Sequence, residues 1–239
     1  MHGATAAERS LFLSSIDPST KFIMDPHLRE VTLKPGAVLL EPGSSIDYVH
    51  FPTHGVVSIM TVTKEGQTVE TGAVGPEGVV GSGVVGLERS LHHAVVQVPG
   101  GACRLPSTVF VSACEQSKLF RAVVNRYNVT MWGMAQQYAA CNALHALPSR
   151  IARWLLQCRA RTGSDHVTVT QEEIATILGV QRTSVTTAEC KFEREKIIRV
   201  RRGQVTILDL EALKERACEC YQIDENRIAR LASNEPIFR

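Results

Sequence analysis

Across residues 171–190 the apolar positions fall at the intervals that two short helices crossing at a steep angle require. Ile174, Ala175 and Leu178 close a first helix, Gly179 takes the corner, Val180 packs beneath it, and Val185 anchors a second helix beginning near Arg182. Such a crossing needs a small residue at the contact, here Ala175, and one that accepts positive φ at the corner, here Gly179. The outward positions of the second helix, Arg182, Thr183, Ser184, Thr186, Thr187 and Lys191, are then free to face a DNA major groove. Thr170 followed by Glu173 makes a capping box that starts the first helix, so that Thr170 and Gln171 stand where backbone N–H groups meet a phosphate. A helical hairpin in an all-α core uses Ala and Gly at the same places and is the bland alternative.

The flanks decide between the two. Residues 166–170 alternate as a short strand, and Ile197, Ile198, Val200, Val205 and Ile207 form two β-prone runs around Arg201, Arg202 and Gly203. That reads as a hairpin whose basic tip, Arg201 and Arg202, lies along a DNA backbone, the wing of a winged helix-turn-helix. The formal charge of the whole chain is only +2, but residues 148–206 hold eleven Lys or Arg against six Asp or Glu. The basic excess therefore sits on the expected DNA reader.

With 239 residues and 44% apolar content, the chain has enough material for two domains. It contains no run of about eighteen apolar residues and no basic segment leading into an apolar stretch, so a cytoplasmic protein without membrane contact is expected. Seven cysteines without regular spacing fit a reducing compartment better than a disulfide framework.

Upstream the text changes character. Short β-branched runs at 38–40, 48–51, 56–62, 69–74, 79–85 and 94–98 alternate with Gly and Pro turns, including His54-Gly55 and Pro76-Glu77-Gly78. Many short strands at this interval predict a small β-barrel or jelly roll. Between the two regions Phe120, Val124, Tyr127, Met131, Met134, Tyr138, Cys141 and His145 recur at alternating spacings of four and three. They form one stripe of a long helix, which part of its own barrel covers and which is expected chiefly to meet a twin helix in a homodimer. The fold class is α+β: an N-terminal β domain (1–115), a dimerisation helix (116–147), a winged helix-turn-helix (148–222) and a C-terminal tail (223–239) that is either a short docking helix or frayed.

This order of parts resembles the CRP/FNR superfamily of bacterial transcription regulators over nearly the whole chain. The resemblance shows in Lys34-Pro35-Gly36, Glu41-Pro42-Gly43, Gly55-Val56-Val57-Ser58 and Gly75-Pro76-Glu77-Gly78-Val79-Val80-Gly81. It continues through Cys141-Asn142-Ala143-Leu144-His145, the run 150–156, Arg182-Thr183-Ser184-Val185-Thr186 and Ala217-Cys218-Glu219-Cys220-Tyr221. The resemblance implies a homodimer that binds double-stranded DNA at an inverted repeat, with RNA polymerase as a further partner.

Departures from the best-known members carry information too. Cyclic-AMP-binding relatives use a Gly-Glu step for the ribose and an Arg-Ser or Arg-Thr step for the cyclic phosphate. The corresponding positions here read Gly81-Ser82 and His92-His93, so tight binding of cyclic AMP or cyclic GMP is not expected and the effector is unknown. The groove-facing Arg, Glu and Arg of relatives that read the well-known half-site become Arg182, Thr183 and Thr187, which implies a different operator.

Oxygen-sensing relatives hold an iron–sulfur cluster near the N-terminus, and this chain has no cysteine before Cys103. His50, His54, His92 and His93 lack a haem or zinc pattern. Cys218 and Cys220 are expected near the end of one helix, pointing to different faces, and Cys141 on the dimer seam, so no cofactor and no metal site are expected. Two other classes stay open: a ligand-binding module that regulates a kinase or channel, and a cupin-like barrel enzyme using a metal. The first lacks a catalytic or membrane segment beside it, the second a clustered His and Glu ligand set.

Overall fold

A computed structural model describes residues 6–233. Three short helices open the chain, α1 (Ala6–Arg9), α2 (Leu11–Ser14) and α3 (Pro18–Met24), the last two capped by the Ser10 and Asp17 side chains. Strands β1 (Arg29–Leu33), β2 (Val38–Leu40), β3 (Tyr48–Val62), β4 (Thr68–Val74) and β5 (His93–Pro106) form one antiparallel sheet in the order β1-β5-β3-β4, with β2 also on β5. Since β1 and β4 do not pair, the sheet folds over as a jelly roll and does not close into a barrel.

Two sequence expectations change here. The runs 48–51 and 56–62 are one strand, because His54-Gly55 is a bulge and not a turn: Gly55 sits at φ 91 and the register with β5 shifts on both sides of it. A Cβ on the facing Gly100 would lie 2.1 Å from the His54 carbonyl oxygen, so only glycine permits this approach. The run 79–85 is not a strand either. It makes a single bridge, Val80 to His50, before Gly81 turns left-handed and residues 82–85 coil into a 3-10 turn.

Two helices follow, α4 (Ser107–Gln116) and α5 (Lys118–Leu144). Ser117 caps α5 by accepting from the Phe120 N–H at 3.1 Å, and its 27 residues span about 40 Å. The stripe expected to meet a second subunit is instead largely covered inside the chain, which corrects the assignment of six of its eight residues to a dimer seam. Phe120, Val124, Tyr127, Met134, Tyr138 and Cys141 are buried, and Met131 and His145 are partly so. Phe120 meets Phe110 edge-on and Tyr127 meets Phe12 likewise, both at 5.4 Å between ring centroids, while the Arg153 guanidinium lies over Tyr138. A 3.5-residue period registers that a face is covered, not by which chain. The opposite face carries its own stripe, Ala122, Val129, Trp132, Ala139 and Ala143, open to solvent, with Trp132 67% exposed.

Pro148 in its first turn starts α6 (Leu147–Thr162) after an extended step at His145 and Ala146. Then come β6 (His166–Thr168), α7 (Gln171–Leu178), α8 (Arg182–Arg194), β7 (Ile198–Arg201), β8 (Gln204–Ile207), α9 (Leu210–Arg216) and α10 (Cys220–Ser233). Strands β6, β8 and β7 form a small antiparallel sheet. Trp154, Leu155, Ile174, Leu178, Val185 and Phe192 build the core of this half, continuous with Val56, Ala73 and Val98 of the jelly roll. Below Trp154, Gln157 joins three elements: its Oε1 accepts from Arg153 at 2.8 Å and from the Tyr138 hydroxyl at 3.2 Å, and its Nε2 donates to Asp224 at 2.9 Å.

The residues of the expected tail up to Ser233 are helical in α10, whose Arg227 donates to the Gly133 carbonyl of α5 at 3.0 Å; the end of the tail, with Pro236, Ile237 and Phe238, lies outside the described residues. A further correction concerns Cys218 and Cys220. The helix that begins after Asp209 stops at Ala217, which is extended at φ −70 and ψ 150, so Cys218 lies in a connection and Cys220 starts the next helix. Freed from helical spacing, both thiols turn toward Cys141, Cys218 at 3.6 Å. Among the described residues no helix is long and apolar enough to cross a membrane.

Candidate nucleic-acid interface

The reader is assembled from local signals. At the start of α7 the capping box forms as the sequence predicts: Glu173 N–H donates to Thr170 Oγ1 at 3.2 Å, and Thr170 N–H donates to Glu173 Oε2 at 2.7 Å. Gly179 ends α7 at φ 63 and ψ 43, and Val180 N–H returns to the Ala175 carbonyl at 3.0 Å, which sets the corner from which α8 departs. Ala175 and Val185 are buried at the crossing.

Gln171 fixes the angle between the two helices. Its Nε2 donates to the buried Glu189 carboxylate at 2.7 Å and its Oε1 accepts from Thr186 Oγ1 at 2.9 Å. Burial, the leading cause, pushes the Glu189 pKa up, and the hydrogen bond from Gln171 opposes it. Thr186 is thereby half-buried and turned inward. Arg182, Thr183, Ser184, Thr187 and Lys191 stay exposed, with Thr183, Thr187 and Lys191 recurring every fourth residue along α8.

The wing adds its tip. β7 and β8 pair around a turn at Arg202 and Gly203, and the Glu193 carboxylate accepts the Val200 N–H at 2.8 Å, tying the wing to α8. A groove of about 480 Å³ lies between them, lined by Thr170, Gln171 and Arg182, by Arg201, Arg202 and Gly203 of the wing, and by the carboxylates of Glu172 and Glu189, the latter held by Gln171. Five of the sequence-selected DNA residues thus share one groove, while Thr183, Ser184, Thr187 and Lys191 lie outside it on the exposed face of α8. Arg199, exposed on β7, carries no DNA-binding signal of its own in the sequence, because it falls between Ile198 and Val200 in a β-prone run.

In the jelly roll a cavity of about 300 Å³ opens between the sheet and α5. Leu40, Ile59, Val74 and Leu91 give it apolar walls; Ser82, Arg89, Ser90 and Asn128 supply polar groups. Gly81, Ser82 and His92 line it, whereas His93 starts β5 opposite Met60 and does not. The Ser82 hydroxyl donates to Asn128 Oδ1 of α5 at 2.6 Å. Arg89 was missed in the sequence; its Nη1 donates to the Gly43 carbonyl at 2.6 Å, and the Arg89-Ser90 pair just before the compared positions was the available signal. His50 is buried on β3 and His54 is exposed on the same strand.

Two family models match, the cyclic nucleotide-binding domain over residues 30–117 and the Crp-like helix-turn-helix domain over residues 149–216. No curated protein sequence matches the chain. Among solved structures, FixK2 from Bradyrhizobium japonicum superposes with a TM-score of 0.68 at 13% identity, covering 80% of this chain and 98% of that one. A protein from Eubacterium rectale, described as a transcriptional regulator of the Crp/Fnr family, gives 0.67 at 17% identity over 85% and 95% of the two chains. A CRP-family transcriptional regulator from Thermus thermophilus gives 0.64 at 22% identity over 78% and 96%. With both domains present in this order on this fold, the chain belongs to the CRP/FNR superfamily of transcription regulators.

Proposed function

We propose that this protein is a homodimeric regulator that reads a specific inverted repeat in double-stranded DNA, inserting α8 into the major groove and laying the wing along the backbone. The observation that carries this reading is the groove shared by Arg182, Arg201 and Arg202, three exposed arginines brought together from α8 and the wing. Arginine at the start of a recognition helix makes the commonest specific contact, bidentate to guanine O6 and N7, and the two wing arginines suit phosphates.

The second subunit takes the solvent-facing stripe of α5. Its small residues at Ala122, Ala139 and Ala143 let two helices approach closely, and Trp132 supplies the large apolar surface that buries on pairing. Two readers related by that axis match half-sites about 34–36 Å apart. A small effector of unknown identity other than cyclic AMP occupies the cavity beside Ser82, Arg89 and Asn128; RNA polymerase is the further partner, and the setting is cytoplasmic.

Sedimentation of the full chain and of Trp132→Glu, each with and without operator DNA, tests the assembly. The wild type runs as a dimer and the variant as a monomer with weakened DNA binding. Identical sedimentation of the two proteins would rule out this seam.

A further inference from the structure

Four metal-ligating side chains outside the reader and the cavity come together where the long helix ends. Cys141 lies on the last turn of α5 and His145 is its C-cap; Cys218 stands in the connection after α9, and Cys220, two residues on, is the first residue of α10. One ligand atom from each falls within 4.8 Å of every other, and the three cysteines are buried. The Cys141 and Cys218 sulfurs are 3.6 Å apart, and Cys220 Sγ is 3.5 Å from His145 Nδ1.

These two separations match edges of a tetrahedron around one ion, and the remaining ones, within 4.8 Å, lie close enough to contract onto it. With metal–sulfur bonds near 2.3 Å and metal–nitrogen bonds near 2.0–2.1 Å, ligand atoms of a regular tetrahedron stand about 3.4–3.8 Å apart. The set is too tight for a polynuclear iron–sulfur cluster, whose thiolates stand farther apart across several irons. Two neighbours orient the ligands. His145 Nε2 lies 3.1 Å from the Glu219 carboxylate, which turns the Nδ1 lone pair toward the cysteines, and Gln137 Nε2 donates to Cys220 Sγ at 3.1 Å. A carboxylate behind a ligating histidine and an N–H aimed at a ligating sulfur are the usual supports of a metal site.

We propose that Cys141, His145, Cys218 and Cys220 bind one zinc ion in a closed structural site that staples the end of α5 to the far side of the DNA reader. Three thiolates and one imidazole, fully tetrahedral, suit zinc over magnesium, calcium or manganese, which take oxygen ligands. On binding, the three thiols release their protons to solvent as three metal–sulfur bonds and one metal–nitrogen bond form. The ion ties the end of α5, just before the His145 to Leu147 step into the helix of the reader, to the segment joining α9 and α10. On the dimer reading above, it fixes the angle at which each reader leaves the α5 pair.

Elemental analysis of the full chain, purified under reducing conditions and freed of loose metal, tests this directly. About one zinc per chain is expected, kept in Cys190→Ser, whose cysteine is exposed and distant in sequence, and lost in Cys218→Ser. Should Cys218→Ser fail to fold, the wild type alone decides: after zinc removal, cobalt(II) gives thiolate-to-metal charge transfer and the intense visible bands of a tetrahedral site. A reduced, folded wild type that takes up neither zinc nor cobalt stoichiometrically would overturn the proposal. So would a Cys141–Cys218 disulfide found in place of the metal, or the weak visible bands of octahedral cobalt.

Discussion

Arg161, on the helix that leads into the DNA reader, meets Glu77, in the Pro76-Glu77-Gly78 turn of the jelly roll, at 2.7 Å with side chains 4% and 11% exposed. The pair joins the two halves of the molecule where water cannot screen it. Glu77 also accepts the Gly75 N–H at 3.1 Å, and Arg161 reaches the Ala73 carbonyl, so both ends are held. Removing one partner strands a buried charge. Glu77→Ala is expected to lower stability by about 3–5 kcal/mol, and Glu77→Leu with Arg161→Met to recover most of it. Urea unfolding of the three proteins checks this; equal stability of Glu77→Ala and wild type would show that the contact carries no weight.

His50 predicts a pH dependence of definite sign. Burial, helped by the nearby Arg104 charge, pulls its pKa down from 6.5 to about 4. The folded protein holds the ring neutral while the unfolded chain protonates it below 6.5, so this residue costs stability as pH falls from 6.5 toward 4. Asp224 acts the other way: burial raises its pKa from 3.8 to about 6, so its contribution improves as pH falls through 6. The comparison is therefore between wild type and His50→Gln. The wild type should lose on the order of 2–3 kcal/mol more than the variant between pH 7 and pH 4. Parallel stability curves would contradict the assignment.

Arg182→Ala is expected to cost about 1–3 kcal/mol of operator binding and to relax one base position, because Arg182 alone lines the groove from the first turn of α8. Arg202→Ala at the wing tip should weaken binding to all sequences alike and flatten its salt dependence. Anisotropy titrations across a series of single-base operator changes separate the two effects. An Arg182→Ala protein with wild-type affinity and selectivity would remove that residue from base reading.

Cyclic AMP and cyclic GMP should give no saturable heat at micromolar concentrations in calorimetry. Ser82, hydrogen-bonded to Asn128 in the cavity, offers no carboxylate to a ribose, and His92 brings no guanidinium to a phosphate. A micromolar dissociation constant for either nucleotide would mean that Arg89 does what the resemblance assigns to another position.

What the sequence disclosed follows from how far apart the deciding residues lie. The reader was legible because its signals are local: Thr170 with Glu173, the corner at Gly179, and the wing turn at Gly203 each act within a few residues. The strands were legible as β-prone runs, but the bulge at Gly55 depends on Gly100 across the sheet and therefore looked like a turn. On α5 the stripe from Phe120 to His145 was found correctly as a covered face. Its partner was not, since a helix period is the same whichever chain covers it. The grouping of Cys141 with Cys218 was invisible because 77 residues separate them and the break at Ala217 carries no strong helix stop signal.

Two copies of this reader are expected to select one DNA sequence. Purified protein at a stated salt concentration, allowed to select from a random DNA pool, should enrich an inverted repeat with half-sites about one helical turn apart. Binding that enriches no motif, or no binding at all, would contradict it.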